Sequence, residues 1–117
     1  MREPLVYLAS CYSVGGADDD EKERRFRHAC EVTARLMQEG YIVFCPIAHS
    51  HPLAVFGALP GDWAFWQRQD MAMLERCDAL WVLMMPMWEQ STGITAEIAH
   101  AEALGIPVRY LEDTATK

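Results

Sequence analysis

Apolar and polar positions alternate along the chain in blocks whose period switches between that of a covered strand and that of a one-sided helix. Leu5-Val6-Tyr7-Leu8-Ala9 is a continuous apolar run closed by Ser10, the pattern of a strand covered on both faces. Gly15 and Gly16 then break the chain. Asp18, Asp19 and Asp20 supply an N-cap and first-turn carboxylates to a helix predicted to run to about Glu39. Within it Phe26, Ala29, Cys30, Thr33, Leu36 and Met37 form one apolar stripe, and Gly40 stands at the left-handed position that ends helices. Tyr41-Ile42-Val43-Phe44-Cys45 repeats the buried-strand pattern and Pro46 stops it, so a long loop is expected through residues 46–61. Asp62 caps a second helix with Phe65, Trp66, Met73, Leu74 and Cys77 on one face. Ala79-Leu80-Trp81-Val82-Leu83-Met84-Met85 is a third strand ended by Pro86. After a loop over residues 86–93, a third helix runs from about Thr92 to Leu104 and is closed by Gly105. Pro107-Val108-Arg109-Tyr110-Leu111 supplies a fourth strand, and the last residues are read as a frayed end.

Strands separated by helices require crossover connections, and those belong to parallel sheets with helices packed on both faces. The expectation is a small α/β fold, a Rossmann-like or flavodoxin-like three-layer sandwich whose parallel sheet has four to five strands. At 117 residues the chain suits a single domain, 1–117. Ligands of such sheets sit beyond the carboxyl ends of the strands. That places the candidate site in residues 9–16, 46–61 and 86–93.

Composition narrows the partners. With 51% hydrophobic residues the chain can bury a core, and 10 Lys+Arg against 17 Asp+Glu leave a net charge of −7. A negative field disfavours a nucleic acid polymer or an anionic membrane surface, and no run of about 20 apolar residues suggests a membrane span. Cys11, Cys30, Cys45 and Cys77 are widely spaced, mostly inside apolar runs. They read as reduced buried thiols, and with no signal-peptide pattern at the N-terminus the expected location is cytoplasmic. Lys22, Arg24, Arg25 and Arg27, set among Asp18 to Glu23, read as a salt-bridged helix face.

The candidate chemistry lies at two helix N-termini and one loop. Three aspartates at the first helix would repel an anion. Ser91-Thr92-Gly93-Ile94-Thr95 offers hydroxyls, a glycine and free backbone N–H groups, which suits a phosphate or carboxylate, and equally an ordinary hydroxyl N-cap. His49-Ser50-His51 lacks a third metal ligand at suitable spacing, and His49 and His51 are read as pocket lining. Trp63, Trp66 and Trp88 suit either stacking on a base or a subunit interface.

The run Ser91-Thr92-Gly93-Ile94-Thr95-Ala96-Glu97-Ile98-Ala99-His100-Ala101, continued by Ala103-Leu104-Gly105-Ile106-Pro107-Val108, resembles the signature of the nucleoside 2-deoxyribosyltransferase-like family. Val6-Tyr7-Leu8-Ala9-Ser10 is similar to that family's first strand. The run from Asp70 through Asp78 to Leu80 resembles its second helix and the junction into the next strand. The resemblance spans nearly the whole chain except residues 48–61. It implies that Glu97 is a nucleophile at the anomeric carbon of a nucleoside or nucleotide, with Asp70 as the second carboxylate and Tyr7 orienting Glu97. Ser10, Ser91, Thr92, Gly93, His49 and Trp63 would bind the substrate.

Transferases of that family commonly carry Asp where this chain has Ser91. The serine resembles the family's nucleoside 5′-monophosphate N-glycosidase branch, in which hydroxyls and backbone N–H groups accept the phosphate. Neither a metal nor another cofactor is expected, and the resemblance implies homo-oligomers whose pockets are completed by a neighbouring subunit. Two alternatives stay open. Phosphoribohydrolases of the lysine-decarboxylase-like family share a Gly-Thr-x-x-Glu loop, although the Pro-Gly-Gly turn that precedes it there is missing here. The other is a non-catalytic nucleotide-binding or sensing module of the same fold.

Overall fold

The computed structural model describes residues 2–113, and the end expected to fray lies outside them. Among the described residues four strands, β1 (Leu5–Ala9), β2 (Ile42–Phe44), β3 (Ala79–Met84) and β4 (Val108–Glu112), alternate with four α-helices, α1 (Asp19–Gln38), α2 (Pro46–Gly57), α3 (Trp63–Leu74) and α4 (Thr92–Ala103). The sheet is parallel throughout, in the order β2-β1-β3-β4, with Tyr7 paired to Phe44 on one side and Leu80 on the other. This is the α/β architecture the alternating pattern predicts. The β1-to-β2 and β3-to-β4 crossovers step in opposite directions along the sheet, and the right-handed rule for such connections puts α1 on one face and α4, with α3 packed on it, on the other.

The two central strands are apolar throughout because both their faces are covered. Val6 to Ala9 and Leu80 to Leu83 are buried, and they form the core with Ala29, Val32, Leu74, Ile94 and Ala101 of the helices. β2 departs from the expected double coverage: Tyr41 and Ile42 are exposed and only Val43 is buried. As an edge strand it has a neighbour on one side only, and residues at the start of the strand lie beyond the helices' cover. Asp78 ties β3 to β1 by accepting from the Leu5 N–H at 2.7 Å and by a two-pronged ion pair with Arg2.

Helix ends follow the local chemistry. The carboxylate of Asp18 accepts from the Glu21 N–H at 2.8 Å, and Gly40, at φ 102°, leaves α1 through a conformation closed to most L-residues. The buried stripe of α1 runs through Arg25, Ala29, Val32, Thr33 and Leu36, rotated from the expected one, and Met37 is exposed. Arg25 belongs to that buried face. Far from joining a solvated charged face, its guanidinium is buried and donates to Glu21 and to the carbonyls of Tyr12 and Val14.

The largest departure is α2, where a loop was expected. Pro46 starts this helix, since the first helical position needs no N–H and favours the φ of proline. Polar and apolar positions do not separate onto two faces here, so no 3.6-residue period marks the segment; Pro46, Ser50 and His51 are buried while Val55 and Phe56 are exposed. In α3 the buried positions are Asp70 and Leu74, Phe65 is exposed, and Cys77 lies beyond the helix end.

Candidate active site

The carboxyl ends of β1 and β3 open into a cleft bounded by the segment after β1, by α2 and by the N-terminal turns of α3 and α4. The position is where the strand order reverses about β1, as expected for a doubly wound sheet.

Tyr7 stands on β1 with its side chain fully buried, and its hydroxyl donates to Oε2 of Glu97. Glu97 shares the buried stripe of α4 with Ile94 and Ala101, a helix spacing that turns its carboxyl inward among apolar neighbours. Asp70 occupies the equivalent place on α3, one turn before Leu74. Both carboxyls line the cleft.

Their titration is displaced by the same burial. Desolvation pushes Glu97 up to about 8; the Tyr7 hydrogen bond opposes this and the field of Asp70 reinforces it. Desolvation alone raises Asp70 to about 6. The Tyr7 phenol is also raised, first by burial and then by Glu97 and Asp70, so it stays a proton donor. Two carboxyl groups held in one cleft near neutrality can exchange a proton with a ligand and present an anionic oxygen to it.

The remaining expected site residues divide. Ser10, Trp63, Ser91 and Gly93 line the cleft. The Ser10 hydroxyl is buried and has no hydrogen-bond partner among the described residues. Ser91 caps α4 by accepting from the Ile94 N–H at 3.2 Å, which leaves its own proton free to donate. Gly93 is required for close approach: a Cβ there would lie 3.1 Å from the Trp63 ring. Thr92 is exposed and is not among the lining residues, because the first turn of α4 carries it to the opposite side.

His49 is likewise outside the cleft. It is exposed on α2, its ring 5.8 Å from that of Phe44, whereas Ile47, Ser50 and Ala54 face the cleft from the same helix. The helical backbone is the reason, since it separates residue 49 from the 46, 50, 54 face by about a third of a turn. Trp66 lines the cleft and donates from its indole to the Pro60 carbonyl at 2.6 Å, while Trp88 lies against Tyr110 away from it. Sequence reasoning missed Tyr12, Ser50 and the buried Arg25. A helical reading begun at Pro46 would have found Ser50. Among the described residues no three His, Cys, Asp or Glu side chains are grouped to hold a metal ion, and no helix is long and apolar enough to cross a membrane.

This sheet order, with its cleft at the reversal point, defines a doubly wound α/β protein of the Rossmann-like or flavodoxin-like kind. The chain belongs to the family described as a domain of unknown function, DUF1937, which matches residues 4–113. Among solved structures, the 2-deoxyribosyltransferase of the psychrotolerant bacterium Bacillus psychrosaccharolyticus is similar, with a TM-score of 0.63 and 22% identity, covering 92% of this chain and 72% of that one. At this identity the likeness extends to the fold and not to the 5′-monophosphate N-glycosidase branch. No curated protein matches the sequence.

Proposed function

We propose that this protein cleaves the N-glycosidic bond of a nucleoside or nucleotide through Glu97. One observation carries the reading: Tyr7 donates to a buried carboxyl, Glu97, which shares its cleft with a second buried carboxyl, Asp70. An Oε atom of Glu97 attacks the anomeric carbon, the bond to the base nitrogen breaks, and its electron pair leaves with the base as Asp70 delivers a proton. A water, or the nitrogen of a second base, then displaces the Glu97 ester and returns a proton to Asp70. The first outcome is hydrolysis and the second is transfer.

The Ser91-capped start of α4 and the unpartnered Ser10 hydroxyl support a 5′-monophosphate as the preferred substrate, since they offer donors and a helix dipole to an anion. Apolar surface on α2, where Phe56 is 89% exposed beside Leu53 and Val55, supports a homo-oligomer. A monomer in sedimentation at micromolar concentration would overturn that part.

Incubation with ribo- and deoxyribonucleosides and their 5′-monophosphates, followed by chromatography of the free base, tests the reading. Base release is expected from monophosphates before nucleosides, and Glu97→Ala should bring it to background. Binding without release from any member would replace catalysis by a nucleotide-binding module.

A further inference from the structure

A second chain of polar side chains reaches the cleft at Tyr12. His51 is buried in α2, with Nδ1 2.6 Å from the Tyr12 hydroxyl and Nε2 2.9 Å from Oε1 of Glu23 on α1. Phe26 stacks on the imidazole with centroids 4.3 Å apart. Arg25 holds the backbone of the same tyrosine through its carbonyl. Two helices thus converge on one hydroxyl that the glycosidic step does not use.

The order of protons follows from Glu23. A carboxylate only accepts, so Nε2 carries a proton toward Glu23, and a ring holding that one proton offers a lone pair at Nδ1. The Tyr12 O–H then donates to Nδ1. A hydroxyl has one proton, so what remains for a ligand is its acceptor capacity. Tyr12 lines the cleft, to which Ile47, Ala54, Trp63 and Trp66 add apolar and aromatic surface suited to the flat face of a base.

We propose that the Glu23–His51 pair locks Tyr12 as a hydrogen-bond acceptor in the cleft wall, and that Tyr12 thereby selects a nucleobase that presents an N–H donor on its edge. The selection rests on the nucleoside reading above; the locking does not. An amino or ring N–H pairs with the tyrosine oxygen, whereas a base edge without any N–H leaves that acceptor unmatched.

Two measurements at pH 8 test this. Dissociation constants are compared within two pairs that differ only by the amino group, adenosine against purine riboside and cytidine against pyrimidin-2-one riboside, in the Glu97→Gln background so that the ligand persists. The amino member of at least one pair should bind about fivefold more tightly, and Tyr12→Phe should reduce that preference below about twofold. Equal binding within both pairs, or a preference that survives Tyr12→Phe, overturns the proposal. Nitrogen-15 spectra of His51 in the wild-type protein give the second readout: a proton on Nε2 alone supports the locked hydroxyl, and a proton on Nδ1 overturns it. If no nucleoside binds, the nucleoside reading and the selection it carries are overturned, while the spectra still decide the polarity of Tyr12.

Discussion

The Tyr7 hydroxyl donates to Glu97 across ninety positions of sequence, joining the central strand β1 to the buried face of α4. The bond favours the ionised form of a carboxyl that burial and Asp70 both drive toward protonation. Three elements therefore set the charge of one oxygen pair. Because Tyr7 is fully buried at the middle of its strand, the donor cannot move without disturbing the sheet.

The pH dependence of kcat/KM should be bell-shaped. Asp70 is raised to about 6 and Glu97 to about 8, so the two groups together hold one proton between those values, mostly on Glu97, and the reacting form is the minority one in which that proton sits on Asp70. The expected limbs belong to the pair rather than to either residue, with the maximum near neutrality. Initial rates of base release across pH 4–10 provide the check, and a profile flat across that range would contradict the assignment.

Tyr7→Phe removes the interaction that lowers the Glu97 pKa, so the alkaline limb should move upward by about one unit, with a rate loss of about a hundredfold at neutral pH. The same variant should still bind nucleoside. Unchanged limbs would show that the Tyr7 bond does not tune Glu97.

The raised pKa of Glu97 also makes a stability statement. Between its unfolded value near 4.5 and its folded value near 8 the native state binds more protons than the unfolded chain, so stability is greatest below the lower value and falls as pH rises through the upper one. Glu97→Gln abolishes that loss. Its melting temperature should exceed that of the wild type by about 4 °C or more at pH 9, and the advantage should shrink toward pH 4.

Arg25→Met should lower stability by about 2–4 kcal/mol in urea denaturation, since the guanidinium now satisfies one carboxylate and two loop carbonyls from a buried position. The loop it holds carries Tyr12, so ligand affinity should fall as well. A surface arginine of a solvated charged face would give less than about 0.5 kcal/mol.

Gly93→Ala places a methyl 3.1 Å from the Trp63 ring, closer than such contacts settle, and the ring must shift by a few tenths of an ångström. Both residues line the cleft, so nucleoside affinity is expected to drop by about threefold to tenfold while global stability changes by less than about 1 kcal/mol. Calorimetric titration and thermal melting of the same sample separate the two effects.

Much of the architecture was legible because β1 and β3 are central strands: covered on both faces, they must be apolar at every position, and the caps at Asp18, Asp62 and Ser91 mark the helices between them. The segment from Pro46 escaped because it buries Ser50 and His51 and exposes Val55 and Phe56, so no apolar stripe marks it, and proline reads as a stop as readily as a start. The placement of His49 outside the cleft follows from that missed helix. Arg25 escaped for a different reason: among Glu21, Lys22 and Arg24 its charge looked like one more surface pair, and only loop carbonyls contributed from outside the helix make its burial favourable.

By itself the sequence determined the order of elements, the parallel sheet that this order demands and the small-residue helix carrying Glu97, since each depends on neighbours within a few positions. Tertiary structure decided what no local pattern encodes: that Tyr7 meets Glu97, that Asp70 shares their cleft, and that Glu23, His51 and Tyr12 form one hydrogen-bonded chain. Those are contacts between side chains from different elements. Their geometry, and the pKa values that follow from it, arises only when the sheet and its crossovers exclude water from the space between them.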